Sequence, residues 1–397
     1  MKKVTGILMG SLACLILLAG CSGPAQDMEE VESQAAGIES HEELDENADA
    51  EDASSDSAEA EDASSDGNIG EKQTSIEPTL EERMATIDLS LKPNESGKVM
   101  VLMYHNIGDE EKTWVRTPDN FRRDLETLYT KGYRPVSLVD YVRGSFDIPA
   151  GTTPFVLTFD DGNENNFRYL ETDQGWRIDP ECAVGILESF RKEHVDFNPQ
   201  ATFFVYGSRP FRQEELVEKK LKFLVDNGYG VGNHSWGHDD YKEEKYTDPQ
   251  MVMASLGKNV AFLETFLEAG AVNTLALPYG HRPKDDAAEV ALFDGIYEGT
   301  EYENVAVLNV GWDPDKSPYH MDFNPRSIHR VRASETNVDN VGLYDWLAYF
   351  DKHPSQRYIS DGEIEIVTVP DSKADSLSED YMVGGELADH KFVYVIE

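Results

Sequence analysis

No Phe, Tyr or Trp occurs before Tyr104, and all 40 aromatic residues (5 Trp, 18 Tyr, 17 Phe) lie from there to the C-terminus. A packed core therefore has to be built from about residue 98 onward. Between Asp27 and Asp66 there are 17 Asp or Glu in 40 positions and no Lys or Arg. Such a stretch cannot bury enough apolar surface to offset its ordering entropy, so residues 21–97 are expected to be a disordered acidic linker. "AEDASSD" occurs at 50–56 and again at 60–66, a low-complexity repeat rather than a structural unit. Ser22 to Gly97 as a flexible coil would span roughly 50 Å, more when like charges stretch it. Residues 1–97 carry 18 of the 41 net negative charges, and the remainder is spread over the folded part. Phosphate backbones would be repelled, which argues against nucleic acid as a partner.

The first twenty residues read as a targeting segment. Lys2 and Lys3 precede the apolar run "ILMGSLACLILLAG", which is short for a membrane span. The run ends in "LLAGC", residues 17–21, which resembles a bacterial lipoprotein signal. That resemblance implies cleavage after Gly20, a lipid on Cys21, and a chain anchored to the outer face of the cell membrane. Cys182 would then be the only other cysteine in the mature chain, so no disulfide framework is expected.

From Lys98 onward, short apolar runs alternate with helical patterns. "VMVLMYH" (99–105), "TPFVLTFDDG" (153–162), "QATFFVYG" (200–207), "VGNHSWGH" (231–238), "TLALPYG" (274–280) and "NVAVLNVGW" (304–312) read as strands with polar ends. Helices are predicted over 117–133, 182–194, 213–229 and 250–270, the first with Thr117 as cap and Pro118 in its first turn. Repeated strand–helix units with nearly continuous apolar strands indicate a parallel sheet covered by helices, a barrel in preference to an open sheet. The polar motifs "YH", "DDG", "NHSWGH", "PYG" and "GWD" all fall at the C-terminal ends of strands, the rim where α/β barrels gather catalytic residues.

His234 and His238 are spaced i, i+4, as in some zinc sites, but Ser235 stands where a metalloprotease carries its glutamate base. A hydrolytic site would have to take its base from elsewhere. The adjacent Asp160 and Asp161 can divide the work, one holding a metal and the other facing substrate.

Residues 98–335 resemble the polysaccharide deacetylases, the NodB-homology group of carbohydrate esterase family 4. The resemblance rests on TFDDG at 158–162, His234-Ser235-x-x-His238, and "ATFFV" at 201–205 between them. It implies a distorted (β/α) barrel of about seven strands. It also implies a divalent metal, zinc first, with cobalt, nickel or manganese as alternatives, held by Asp161, His234 and His238. Asp160 is implied as general base, and Pro278 and Tyr279 of "LPYG" as substrate contacts, with the Tyr279 N–H facing the oxyanion. The family's usual arginine before that motif is replaced by Ala276. The early "VLMYHNIG" looks like the biofilm-type poly-N-acetylglucosamine deacetylases, which makes His105 the candidate general acid and His329 its competitor. Arg330 is the candidate replacement for the missing arginine, and Trp312 a candidate wall of the sugar site.

The expected organisation is thus a lipoprotein signal (1–20), a lipidated linker (21–97), a deacetylase barrel (98–354) and a C-terminal β extension (355–397), whose runs "EIEIVTVP" and "KFVYVIE" read as two added strands in a hairpin. The expected function is a membrane-tethered, metal-dependent N-deacetylase of N-acetylglucosamine-containing polysaccharide, acting as a monomer. The competing expectation is a barrel that grips glycans without catalysis. A two-carboxylate glycoside hydrolase is disfavoured, because adjacent aspartates cannot flank a glycosidic bond at the roughly 5–10 Å separations that chemistry needs. The insert 166–181 is expected to reshape the groove.

Overall fold

The structure, a computed structural model, describes residues 78–379 and 387–396. The targeting segment, Cys21 and most of the linker lie outside the described residues.

Six strands run parallel in one sheet: β1 (Lys98–Tyr104), β2 (Thr153–Phe159), β3 (Ala201–Val205), β4 (Gly230–Asn233), β5 (Thr274–Ala276) and β6 (Ala306–Leu308). They are neighbours in that order, from Leu102 opposite Leu157 to Leu275 opposite Val307. A seventh strand, β7 (Val331–Arg332), pairs parallel with Leu102 and Met103 of β1. Just before it, Ile328 bridges Leu308 of β6. The segment 328–332 therefore sits between the last strand and the first and closes the sheet into a ring of seven strand positions. This is the expected distorted barrel. The helices α1 (Pro118–Thr130), α2 (Ala183–Glu193), α3 (Val217–Asp226) and α4 (Pro249–Leu263) form the outer layer.

Period-2 alternation splits each strand between two cores. Met100, Leu102, Phe155, Leu157, Phe203 and Val231 pack outward with the apolar faces of the helices. Val99, Val101, Val156, Phe204, Ala276, Leu308 and Ile328 fill the inside. The interior is a packed core, so chemistry is confined to its upper end.

Three expectations change. Residues 78–97, expected within the linker, are ordered. Thr79 and Glu82 form a capping box, Arg83 pairs with Glu363 and Glu365 at 2.6 Å each, and the Asn94 N–H donates to the Ile359 carbonyl at 2.8 Å. Polar anchoring holds this segment, which a scan for apolar burial does not register. In the C-terminal extension, the strands Val367–Pro370 and Lys391–Tyr394 pair in parallel, so they are not a hairpin. The helix predicted over 250–270 stops at Leu263, and Phe266 and Leu267 stay against the core through a tighter turn. The insert 166–181 carries an antiparallel hairpin, Tyr169–Thr172 with Gly175–Ile178, whose tip is exposed.

Candidate active site

Strand parity delivers most of the site. On β1 the odd positions 99 and 101 face inward, and His105 continues them past the strand's end. On β2 the inward series runs through Val156 and Thr158 to Asp160. On β4, Gly232 faces Phe204 inside the barrel, and His234 follows it. On the closing segment, Ile328 faces inward and Arg330 comes next in the same series.

Asp161 would point outward by this count. Its φ of 75° places it in the left-handed region, and Gly162 follows at 54°. The backbone thus swings the second carboxylate back over the rim at a conformational cost of order 1–3 kcal/mol. A Cβ on Gly162 would stand 2.8 Å from Val205 Cγ1, so the turn needs glycine for space as well as for φ. Ser235, His238 and Tyr279 also have positive φ, at 64°, 55° and 59°. Left-handed residues other than glycine thus recur along this rim.

Asp161 Oδ1 lies 3.5 Å from both His234 Nε2 and His238 Nε2. One ligand atom from each of the three lies within 4.8 Å of the others. His234 Nδ1 is 2.8 Å from the Ala276 carbonyl, which can only accept, so Nδ1 carries a proton and Nε2 is the nitrogen turned to the cluster. Burial alone would raise the Asp161 carboxyl, but hydrogen bonding from His234 and the charges of His105, His234 and His238 hold it well below the usual carboxylate range. Burial, seconded by His234, lowers His238 to about 4, keeping it neutral near pH 7. Burial would lower His234, but its hydrogen bond to Asp161 and the charges of Asp160 and Asp161 raise it, so a bound cation would take the place of its Nε2 proton. With neutral His238 and anionic Asp161, and no fourth donor in the cluster among the described residues, the group fits a divalent ion that keeps a position open for water.

Asp160 is 1% exposed and clamped by Arg330: Nη1 donates to Oδ1 and Nη2 to Oδ2, each at 2.7 Å. Arg330 is fully buried, donates through Nε to the Asn309 carbonyl at 2.8 Å, and reaches Thr158 Oγ1 at 3.2 Å. Burial pushes Asp160 up, yet Arg330, with His234 and His105, brings it below its ordinary value. Asp160 is therefore ionised and its lone pairs are fixed in direction. Ala276, where the resemblance led us to expect an arginine, is buried in the inner core. The guanidinium comes instead from the closing segment.

His105 Nε2 is 3.9 Å from Asp160 Oδ2, and its ring centroid is 4.7 Å from that of Trp114. Burial lowers His105 despite the pull of Asp161 and Asp160. His329, the competitor, is one residue out of phase with Arg330. It is exposed, and its backbone N–H donates to Asp315. Trp312 is 62% exposed and its carbonyl accepts from Trp346 Nε1; no hydrogen bond or ring contact joins it to the site residues. Pro278 is buried at the start of a short 3-10 turn, and the Tyr279 ring centroid lies 4.6 Å from that of His238.

Sequence reasoning missed several neighbours. Asn166 Nδ2 donates to the His105 carbonyl, and Asn163 Nδ2 lies 3.4 Å from Asp161 Oδ2. The Tyr206 ring faces His238 at 5.5 Å, and Trp114 faces His105. Only "DDGNENN" hinted at the asparagines; loop aromatics leave no periodic signal.

The family model described as Polysaccharide deacetylase matches residues 148–296. That span contains Asp160, Asp161, His234, His238 and Tyr279, while His105 and Arg330 lie outside it. The match supports a polysaccharide deacetylase, a hydrolase acting on amide bonds. Three solved structures are similar to this chain. A polysaccharide deacetylase from Bacillus cereus has 20% identity, with 64% of this chain and 69% of that one covered and a TM-score of 0.44. The Streptococcus pyogenes deacetylase PplD in complex with acetate has 17% identity, with 64% and 98% covered and a TM-score of 0.45. IcaB from Ammonifex degensii has 16% identity, with 60% and 93% covered and a TM-score of 0.42. No curated protein matches the chain.

Proposed function

We propose that this protein, which carries the polysaccharide deacetylase match over residues 148–296, is a membrane-tethered, metal-dependent N-deacetylase of N-acetylglucosamine-containing polysaccharide. One observation carries the reading: a buried, ionised Asp160 is clamped in both oxygens by Arg330 beside a three-ligand cluster. A barrel that only bound glycans would have no use for a directed base.

A divalent cation, zinc first, held by Asp161, His234 and His238, would supply Lewis-acid activation of water and of the acetamide carbonyl. Asp160 takes the proton of the attacking water, and Arg330 keeps the accepting lone pair aimed as the charge is lost. The Tyr279 N–H faces the developing oxyanion. His105, whose Nε2 stands 3.9 Å from Asp160 Oδ2, gives a proton to the leaving nitrogen. The carbon–nitrogen bond breaks, acetate departs with the water's oxygen, and the sugar keeps a free amine. Ala276 and the early His105 together favour the biofilm-type branch of the family. The apolar leader and Cys21 support a lipid anchor on the outer face of the membrane, with the catalytic part held off it.

The test is acetate release from N-acetylglucosamine oligomers, exopolysaccharide and peptidoglycan by the purified protein. We expect release that a chelator abolishes and zinc or cobalt restores. Asp160→Asn should retain the metal and lose turnover, whereas Asp161→Asn should lose the metal. Glycan binding with no acetate from any substrate, metal supplied, would overturn the enzyme reading in favour of a binding barrel. For the anchor, Cys21→Ser should move the protein from the membrane fraction to the soluble one.

A further inference from the structure

Arg332 follows Arg330 by two residues and so faces the same side of the closing strand, one step nearer the mouth of the barrel. With His105, Trp114 and Ser334 it lines a narrow cleft beside the site. Its guanidinium carbon stands 5.1 Å from the Trp114 ring centroid, and Trp114 in turn rests against His105. The side chain is half-buried, yet among the described residues its one hydrogen bond is from Nη2 to the Asn337 carbonyl. Its Nε is buried with no acceptor. Burial depresses Arg332 below the ordinary arginine value, with the charge of Asp339 acting the other way.

The contrast with its neighbours is informative. Arg330 has both oxygens of Asp160, and Arg116, behind the same cleft, has Asp124, Glu111 and Glu335. In a chain of net charge −41, a partly desolvated cation that no carboxylate of the described residues meets in an ion pair is a costly thing to leave at the mouth of the site. The planar fork of a guanidinium, braced on an indole, is suited to bind a planar anion in two places.

We propose that Arg332 is a specificity residue that binds an anionic substituent, a carboxylate or a phosphate, carried by the glycan close to the acetamide being hydrolysed. The idea rests on the deacetylase reading and narrows it, from N-acetylated sugar polymers in general to acidic ones. Trp114 supplies the apolar floor that strengthens the charge contact by excluding water from one face.

The experiment compares kcat/KM on four substrates. These are neutral N-acetylglucosamine oligomers, carboxylate-bearing glycan strands from peptidoglycan, the same strands after carbodiimide amidation, and a phosphodiester-linked N-acetylglucosamine polymer. The wild type should prefer an anionic substrate. In Arg332→Gln the ratio of anionic to neutral kcat/KM should fall about ten-fold or more, mainly through KM, with Arg332→Lys restoring part of it. Arg143→Gln, the same charge change on a remote helix, should leave the ratio unaltered. Loss of preference on amidation identifies a carboxylate; preference for the phosphodiester polymer identifies a phosphate. A ratio unchanged in Arg332→Gln, or equal losses on all substrates, would overturn the proposal, the second outcome marking a residue that merely steadies Trp114. Binding of the unmodified strands to Asp160→Asn, with and without Arg332→Gln, reads the same contact without turnover. If no substrate yields acetate, the deacetylase reading fails while this binding arm still decides the anion site.

Discussion

At the scale of single residues, the pair Asp160–Arg330 matters most. Both are buried, and each satisfies the other. Removing one partner of a buried pair typically costs about 3–5 kcal/mol, because the charge left behind has neither water nor counter-ion. Arg330→Met should therefore lower stability by that order in urea titration and reduce kcat by at least ten-fold. Arg330→Lys should recover stability better than rate, since one ammonium cannot hold both carboxylate oxygens. Asp160→Asn should leave the chain folded and inactive. His105→Ala should lower kcat with little change in metal content, and His329→Ala should be near wild type; the reverse result would show that the acid is misassigned.

At the scale of elements, the turn after β2 carries most of the burden. Gly162→Ala adds a positive-φ penalty of about 1–2 kcal/mol and a methyl 2.8 Å from Val205 Cγ1. We expect weakened metal binding by equilibrium dialysis as well as a lower unfolding midpoint, since the strained turn is what aims Asp161. Much at this scale was legible in the sequence. Apolar runs gave the strands, and Thr117, Pro118 and Gly132 marked the ends of α1. TFDDG and HSxxH pointed to the Asp161–His234–His238 cluster and to Asp160 beside it. The exchange of Ala276 for Arg330 could be suspected but not decided, because it depends on a strand of two residues pairing across the ring with β1. That His105 and not His329 stands beside Asp160 turned on one-residue parity in that same short segment, which no periodicity over so few positions reveals. The docking of residues 78–97 was illegible for a different reason: it relies on capping and ion pairs, not on buried apolar side chains.

At the scale of the whole molecule, the two ends of the described fold are joined by buried acid. Glu95 lies just before β1 and accepts from the Tyr358 hydroxyl and the Thr368 N–H; Asp361 accepts from the Thr368 hydroxyl. Burial raises both carboxyls, Glu95 well above its ordinary value and Asp361 to about 6; the charge of Asp361 raises Glu95 further, and that of Glu363 raises Asp361. Acids raised in the folded state stabilise it most at pH values below their unfolded pKa, near 4. That contribution is lost as pH climbs through the folded values. For Asp361 the loss between about pH 4 and 7 is of order 2–3 kcal/mol. Thermal unfolding should therefore show declining stability across this window, and Asp361→Asn should flatten the decline. An unchanged slope in that variant would mean the carboxyl is ionised at little cost.

The closing segment has a further consequence. Arg330 reaches back 170 residues to its aspartate, and the strand bearing it is the one that completes the ring. A chain folded as far as β6 has Asp161, His234, His238 and Asp160 in place but no guanidinium on Asp160. Under the proposed mechanism, ring closure is thus also the arming step: a half-built or partly unfolded molecule would hold the cluster yet stay chemically quiet until its last barrel strand is seated.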